Sequence, residues 1–145
     1  MESYQVWDET IPAIPPRSRL YCLEPIGVRT PSVECLTSYI ARLAEEHGVT
    51  LKSLMMHVIF PALGQDVTEA DHYRRLSTFC EQNCSSLNGR SPMARQWVAV
   101  MQSLTSCESL RFLTMLTWSE VTAVSKLVRR RKAWCPACYD DWRQA

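Results

Sequence analysis

Glycine is scarce, at four residues in 145. That excludes collagen-like chains and Gly-rich linkers. It also leaves little for the glycine loops that cradle phosphates in many nucleotide enzymes. No apolar run is long enough to cross a bilayer, so no membrane is expected as a partner. The opening residues MESYQVWDET are polar and acidic, so no secretory leader is expected. There is no G-x-S-x-G, no Walker loop, no HExxH and no helix face with paired carboxylates. His47, His57 and His72 lack a metal-ligand spacing. Strong strand alternation is missing, as is any repeat of fixed period.

What is there describes one domain, or one domain with a small appendage. A 145-residue chain that is 46% hydrophobic and 21% charged has enough material for a core without staples. Residues 1–31 are proline-rich, which forbids a long helix there. Within them, Ser18–Leu23 reads as a short strand or an extended arm laid on the core. Thr30, Pro31 and Ser32 offer start signals for a first helix. Val33, Leu36, Ile40, Leu43 and Ala44 form its apolar stripe, and Gly48 is its stop. A second helix starts at Thr50, with Leu51, Leu54, Met55, Val58 and Ile59 on one face, and is expected to end at Pro61. The pair reads as a helix-turn-helix or as a plain helical hairpin. Thr68 to about Asn83 reads as a third helix. Asn88-Gly89 is a turn signal, and Ser91-Pro92 opens a fourth helix with Trp97, Val100, Met101 and Leu104 inward. Leu110–Trp118 and Val121–Arg131 are two further helical pieces. The expected class is mainly α: an arm over 1–31, a helical domain over 32–131 and a tail over 132–145.

Seven cysteines is an odd count. Without a leader, a reducing cytoplasm with free or metal-bound thiols is the simplest setting. Cys135-Pro136-Ala137-Cys138 is the sharpest local signal. Two thiolates two residues apart can take two corners of a tetrahedral zinc site. The same spacing suits a redox dithiol, but the βαβ context for one is missing. No Cys or His follows Cys138, so the expected zinc site is a half-site. Cys80 and Cys84 read as a core residue and a frayed helix end. Cys22, Cys35 and Cys107 read as small hydrophobes.

The net charge of +1 hides an uneven distribution. Lys126, Arg129, Arg130, Arg131 and Lys132 put five cations within seven residues. Such a run suits phosphate backbones or an acidic protein face. Arg74-Arg75 is a weaker second patch. The second helix offers only Lys52, Ser53 and His57 for reading bases, which favours protein docking over sequence-specific DNA reading.

Three segments together resemble a known family. Pro25 to Ala44 is similar to the helix-opening pattern of TniQ proteins, E-S-L-x-S-[YW]-[LI]-x-R-L-A after a proline and a short turn. Glu34, Leu36, Ser38, Tyr39, Ile40, Arg42, Leu43 and Ala44 match it, with Cys35 in a serine position. Leu110–Trp118 resembles L-R-x-L-T-L-L-P-W, with Thr117 in the proline position. Arg130–Arg143 resembles R-x-R-x-W-C-P-A-C-x-x-x-W. The three occur in the family's order.

The resemblance implies a non-enzymatic adaptor in transposition of the Tn7-like kind. It implies a helix-turn-helix region followed by zinc-ribbon elements. Its expected partners are a AAA+ ATPase, and duplex DNA or an RNA-guided CRISPR effector. In the family a downstream C-x₂-H normally completes the CPAC zinc site, so here only Cys135 and Cys138 carry over as ligands. The residues alone also allow a helix-turn-helix transcription regulator with a metal-stabilised tail.

Overall fold

The computed structural model describes residues 17–65, 84–121 and 128. Their regular structure is entirely helical, and the protein is mainly α. The expected third helix, the piece Val121–Arg131 beyond its first residue, and the tail over 132–145 lie outside the described residues, residue 128 apart.

Helix α1 spans Leu36–Glu46, with Leu36, Tyr39, Ile40, Leu43 and Ala44 buried. These fall at three- and four-residue steps, so one stripe faces the core. The start differs from the expectation at Thr30–Ser32. Those residues close a turn instead: the Thr30 amide donates to the Gly27 carbonyl at 3.0 Å. The Glu34 amide is engaged by the Ile26 carbonyl at 3.1 Å, so the chain stays extended up to Cys35. Val33, expected on the stripe, is exposed.

The C-terminus of α1 follows from Gly48, whose φ of +64° costs glycine nothing. The Val49 amide donates to the Ala44 carbonyl at 3.0 Å and the Gly48 amide to that of Glu45 at 2.9 Å. These two bonds make a Schellman motif, which satisfies carbonyls the helix leaves open.

Thr50 then caps α2, Leu51–Leu54, its hydroxyl accepting from the Ser53 amide at 3.1 Å. The chain does not stop before Pro61. It widens into a π-helical turn, π1, Met55–Ile59, and continues as α3, Phe60–Ala62. In an α-helix the ring of Pro61 would press on the carbonyl four residues back. The wider turn shifts the pairing, so that the Phe60 amide reaches the Met55 carbonyl.

Helix α4, Cys84–Leu87, leads into the turn at Asn88-Gly89. Cys84, expected to fray, is helical and buried. Gly89 is required there, because a Cβ would run into the Ser85 carbonyl oxygen. Helix α5, Pro92–Thr105, opens as its sequence predicts: Ser91 accepts from the Ala94 amide at 3.1 Å, and Pro92 takes the first turn. Two 3₁₀ turns follow, Glu108–Leu113 and Met115–Trp118, in place of the expected fifth helix.

One apolar cluster joins all these parts. Tyr39, Leu43, Met55, Ile59, Met101 and Leu110 lie at its fully buried centre. Phe60 meets Trp97 edge to face at 6.4 Å between ring centres, a favoured aromatic geometry.

Candidate interaction surface and its scaffold

The residues that carry the TniQ resemblance are mostly fasteners. Glu34 and Arg42 form an ion pair at 2.6 Å, with side chains only 10% and 24% exposed. The same Glu34 oxygen accepts the Ile26 amide at 2.7 Å. Arg42 also donates to the Glu24 carbonyl at 3.0 Å and lies over the Tyr39 ring at 5.5 Å. The Glu34 carboxylate holds the Arg42 guanidinium proton more tightly than usual. Tyr39 donates its hydroxyl to the Leu23 carbonyl at 3.2 Å. Burial, aided by the neighbouring Cys107 thiol, pushes its phenol up to about 12. Three side chains of α1 and its lead-in thus tie down residues 23–26. The Glu34–Arg42 and Tyr39–Leu23 bonds are part-buried, which makes them stronger than surface contacts, while those to the Ile26 amide and the Glu24 carbonyl are exposed.

Ser18–Leu23 forms no strand: the chain bends at Arg19 and Leu20 and then runs on without regular structure. The Leu20 amide donates to the Leu104 carbonyl at 2.8 Å, and the Leu20 side chain joins the core. Tyr21 stacks on His47 at 3.9 Å, and its amide donates to His47 Nε2 at 3.0 Å. His47 ends α1, as its place before Gly48 suggests. Its service to the arm was not legible in the sequence, because the partner is 26 residues away.

A second lock also escaped the sequence. Cys35, the N-cap of α1, makes no side-chain cap bond. Asn88 supplies one from the other side of the core: its Oδ1 accepts the Thr37 amide at 3.2 Å, and its Nδ2 donates to Thr37 Oγ1 at 3.2 Å. Its carbonyl also accepts the Met115 amide at 2.8 Å. One buried residue thereby joins α1, the turn before α5 and the second 3₁₀ turn.

The second resembling segment behaves likewise. Leu110 and Leu113 are buried, while Arg111 faces out across the Phe112 ring at 4.9 Å. Thr114 accepts from the Leu116 amide at 3.3 Å. Trp118 is 54% exposed at the end of this segment.

Of the expected contact residues, Lys52 is described. It lies half-buried in α2, with Ser53 half-buried beside it and His57 exposed on π1. Lys126, Arg129, Arg130, Arg131, Lys132, Arg74 and Arg75 lie outside the described residues, as do Cys135 and Cys138. The structure adds exposed cations that were not singled out: Arg17, Arg19 and Arg29 ahead of α1, Arg95 on α5, and Arg111. Arg95 was legible as the polar face opposite Trp97 and Met101.

Among the described residues, no group of three His, Cys, Asp or Glu could hold a metal ion. No helix there is long and apolar enough to cross a membrane. The described residues offer a braced helical scaffold with cations on its outside, an arrangement suited to binding. The TniQ family model matches residues 25–145, a span that includes all three resembling segments. No curated protein matches the chain.

Proposed function

The chain belongs to the TniQ family, and from that premise we propose that it is the adaptor joining a DNA-targeting module to a transposon AAA+ ATPase. The family takes part in target selection during Tn7-like transposition, in complexes with other transposon proteins. The observation that carries the proposal is the match over residues 25–145. The scaffold is consistent with it: the matched residues Glu34, Tyr39 and Arg42 brace the fold.

In this reading the braced helices present a fixed surface, and the run Lys126, Arg129, Arg130, Arg131 and Lys132 grips an acidic face of the ATPase. Arg74, Arg75 and Lys52 are secondary contacts. The targeting module is duplex DNA or an RNA-guided CRISPR effector. The helix-turn-helix role of α1 and α2 is to dock protein, because Lys52, Ser53 and His57 give little base-reading capacity. Cys135 and Cys138 hold a zinc ion through two thiolates, a half-site that needs two further ligands to close its shell. The protein works in the cytoplasm, which keeps those thiols reduced.

The test is co-elution of the chain with the ATPase encoded beside it, with and without ATP and duplex DNA. Co-elution weakened by changing Arg129, Arg130 and Arg131 to Ala supports the adaptor and its contact. No binding to the ATPase, with salt-steep binding to one DNA sequence, would replace it with the transcription-regulator reading.

A further inference from the structure

Tyr21 is fastened to the end of α1 through one imidazole. Its amide donates to His47 Nε2 at 3.0 Å. Its ring lies flat on the same imidazole, with centres 3.9 Å and planes 12° apart. Its neighbours are held by other means. The Leu20 amide donates to the Leu104 carbonyl at 2.8 Å, and the Leu23 carbonyl accepts from Tyr39 at 3.2 Å. Leu20 is buried in the core, whereas Tyr21 is 57% exposed and has little apolar burial to hold it.

An imidazole nitrogen accepts a hydrogen bond only through a free lone pair. Nε2 can take the Tyr21 amide only while it carries no proton. On a protonated ring a second N–H would point at that amide, and the bond would be lost. We propose that His47 is a proton-operated catch on the arm: the neutral ring holds the Tyr21 amide, and the protonated ring releases it. The ring stack survives the charge, because an aromatic face also attracts a cation.

The surroundings accept the proton from one side and oppose it from the other. His47 is the C-cap of α1, where open carbonyls attract a cation, and Glu45 and Glu46 precede it. From the arm, Arg19 opposes the charge, and the Tyr21 phenol and Cys22 thiol stand beside the bond as neutral groups. Lys52, on the α2 helix packed against α1, is the second opposing cation. The arm meets the end of α5 at Leu104, and Cys107 and the exposed Glu108 follow there. The direction of the pH dependence follows from the bond. Its contribution belongs to the neutral ring, so it is present at high pH and lost as the pH falls and the ring is protonated. The arm then opens between its anchors at Leu20 and Leu23, just after the exposed cations Arg17 and Arg19.

The experiment follows the Tyr21 amide and the His47 ring by NMR in the full chain, between about pH 8 and about pH 5. Exchange of the Tyr21 amide is divided by the rate of the same amide in an unfolded peptide, which removes the intrinsic effect of pH. Protection of Tyr21 should fall about fivefold towards acid pH, the effect of one net hydrogen bond. The fall should share its midpoint with the His47 ring. In His47→Gln the step should vanish at whatever protection remains, because an amide side chain does not titrate in this range. Protection at Tyr21 that ignores pH, or that falls with a midpoint other than that of His47, would overturn the catch. So would a step that persists in His47→Gln.

Discussion

The arm and the interior of the helical domain share one apolar core but differ in their polar fastening. Residues 17–34 bury Leu20, lean Leu23 and Val28 on the core, and add directional bonds: Leu20 to Leu104, Tyr21 to His47, and Ile26 and Glu24 to the Glu34–Arg42 pair. The contact of α3 and π1 with α5 is apolar packing around Met55, Ile59, Phe60, Trp97 and Met101. Packing tolerates a similar shape and yields gradually as atoms are removed. A polar network fails in steps, because removing one member leaves its buried partner unsatisfied. The TniQ-like residues Glu34, Tyr39 and Arg42 belong to the network. Their spacing therefore records how the arm is fastened.

The largest effect should come from the packed region. Leu110 is fully buried in the core cluster, so Leu110→Ala should destabilise by about 2–5 kcal/mol. Chemical denaturation would measure it, and a loss below about 1 kcal/mol would mean that this centre is not packed as described.

The network comes next. Glu34→Ala leaves the part-buried Arg42 guanidinium without its carboxylate and frees the exposed Ile26 amide to water. A loss of about 2 kcal/mol is expected, scaled down from a fully buried pair because Arg42 is partly exposed. Limited proteolysis should show cleavage near residues 23–26 in this variant before the helices unfold. If the arm stays as resistant as in the parent, the pair is a bystander.

Asn88→Ala should cost about 1–2 kcal/mol, through the lost cap on α1 and the unsatisfied Thr37 amide. Amide exchange should quicken at Thr37, whose acceptor is the lost side chain, and much less at Met115, whose acceptor is the backbone carbonyl that alanine keeps. Unchanged exchange at Thr37 would break the account of Asn88 as the cap of α1.

The smallest effect is Tyr39→Phe, about 1 kcal/mol near neutral pH for one neutral hydrogen bond. It has a distinctive pH signature. The phenol ionises at its ordinary value of 10.0 in the unfolded chain and at about 12 in the folded one. The folded state therefore holds this proton more tightly. That contribution is fully present below pH 10.0 and is lost as the pH rises towards about 12. The phenylalanine variant should lose less stability across that window than the parent. Parallel curves would show that the phenol is not buried as described.

The parts of the fold that local chemistry decides were legible in the sequence. The Gly48 stop, the Thr50 cap and the Ser91-Pro92 opening each draw on residues within a few positions. The parts decided at a distance were not. Helix α1 begins at Leu36 because Ile26 engages Glu34, and no local cap announces that. Its cap comes from Asn88, 51 residues on. Pro61 looked like an end, but a wide turn absorbed its ring. The site was legible in a different sense. The family resemblance was visible in the sequence, and the chain belongs to that family. That Glu34, Tyr39 and Arg42 serve the arm became clear only when their partners were in view.

In the proposed division of labour, Glu34 and Arg42 hold the scaffold and the basic run meets the ATPase. It is tested most directly by measuring ATPase affinity for two variants below both melting temperatures. The account predicts that Glu34→Gln lowers the melting temperature and leaves affinity within about twofold. It predicts that the Arg129, Arg130 and Arg131 to Ala variant keeps the melting temperature and loses at least about tenfold in affinity, equivalent to about 1.4 kcal/mol. The reverse pattern, with affinity following Glu34 and indifferent to the arginines, would contradict it.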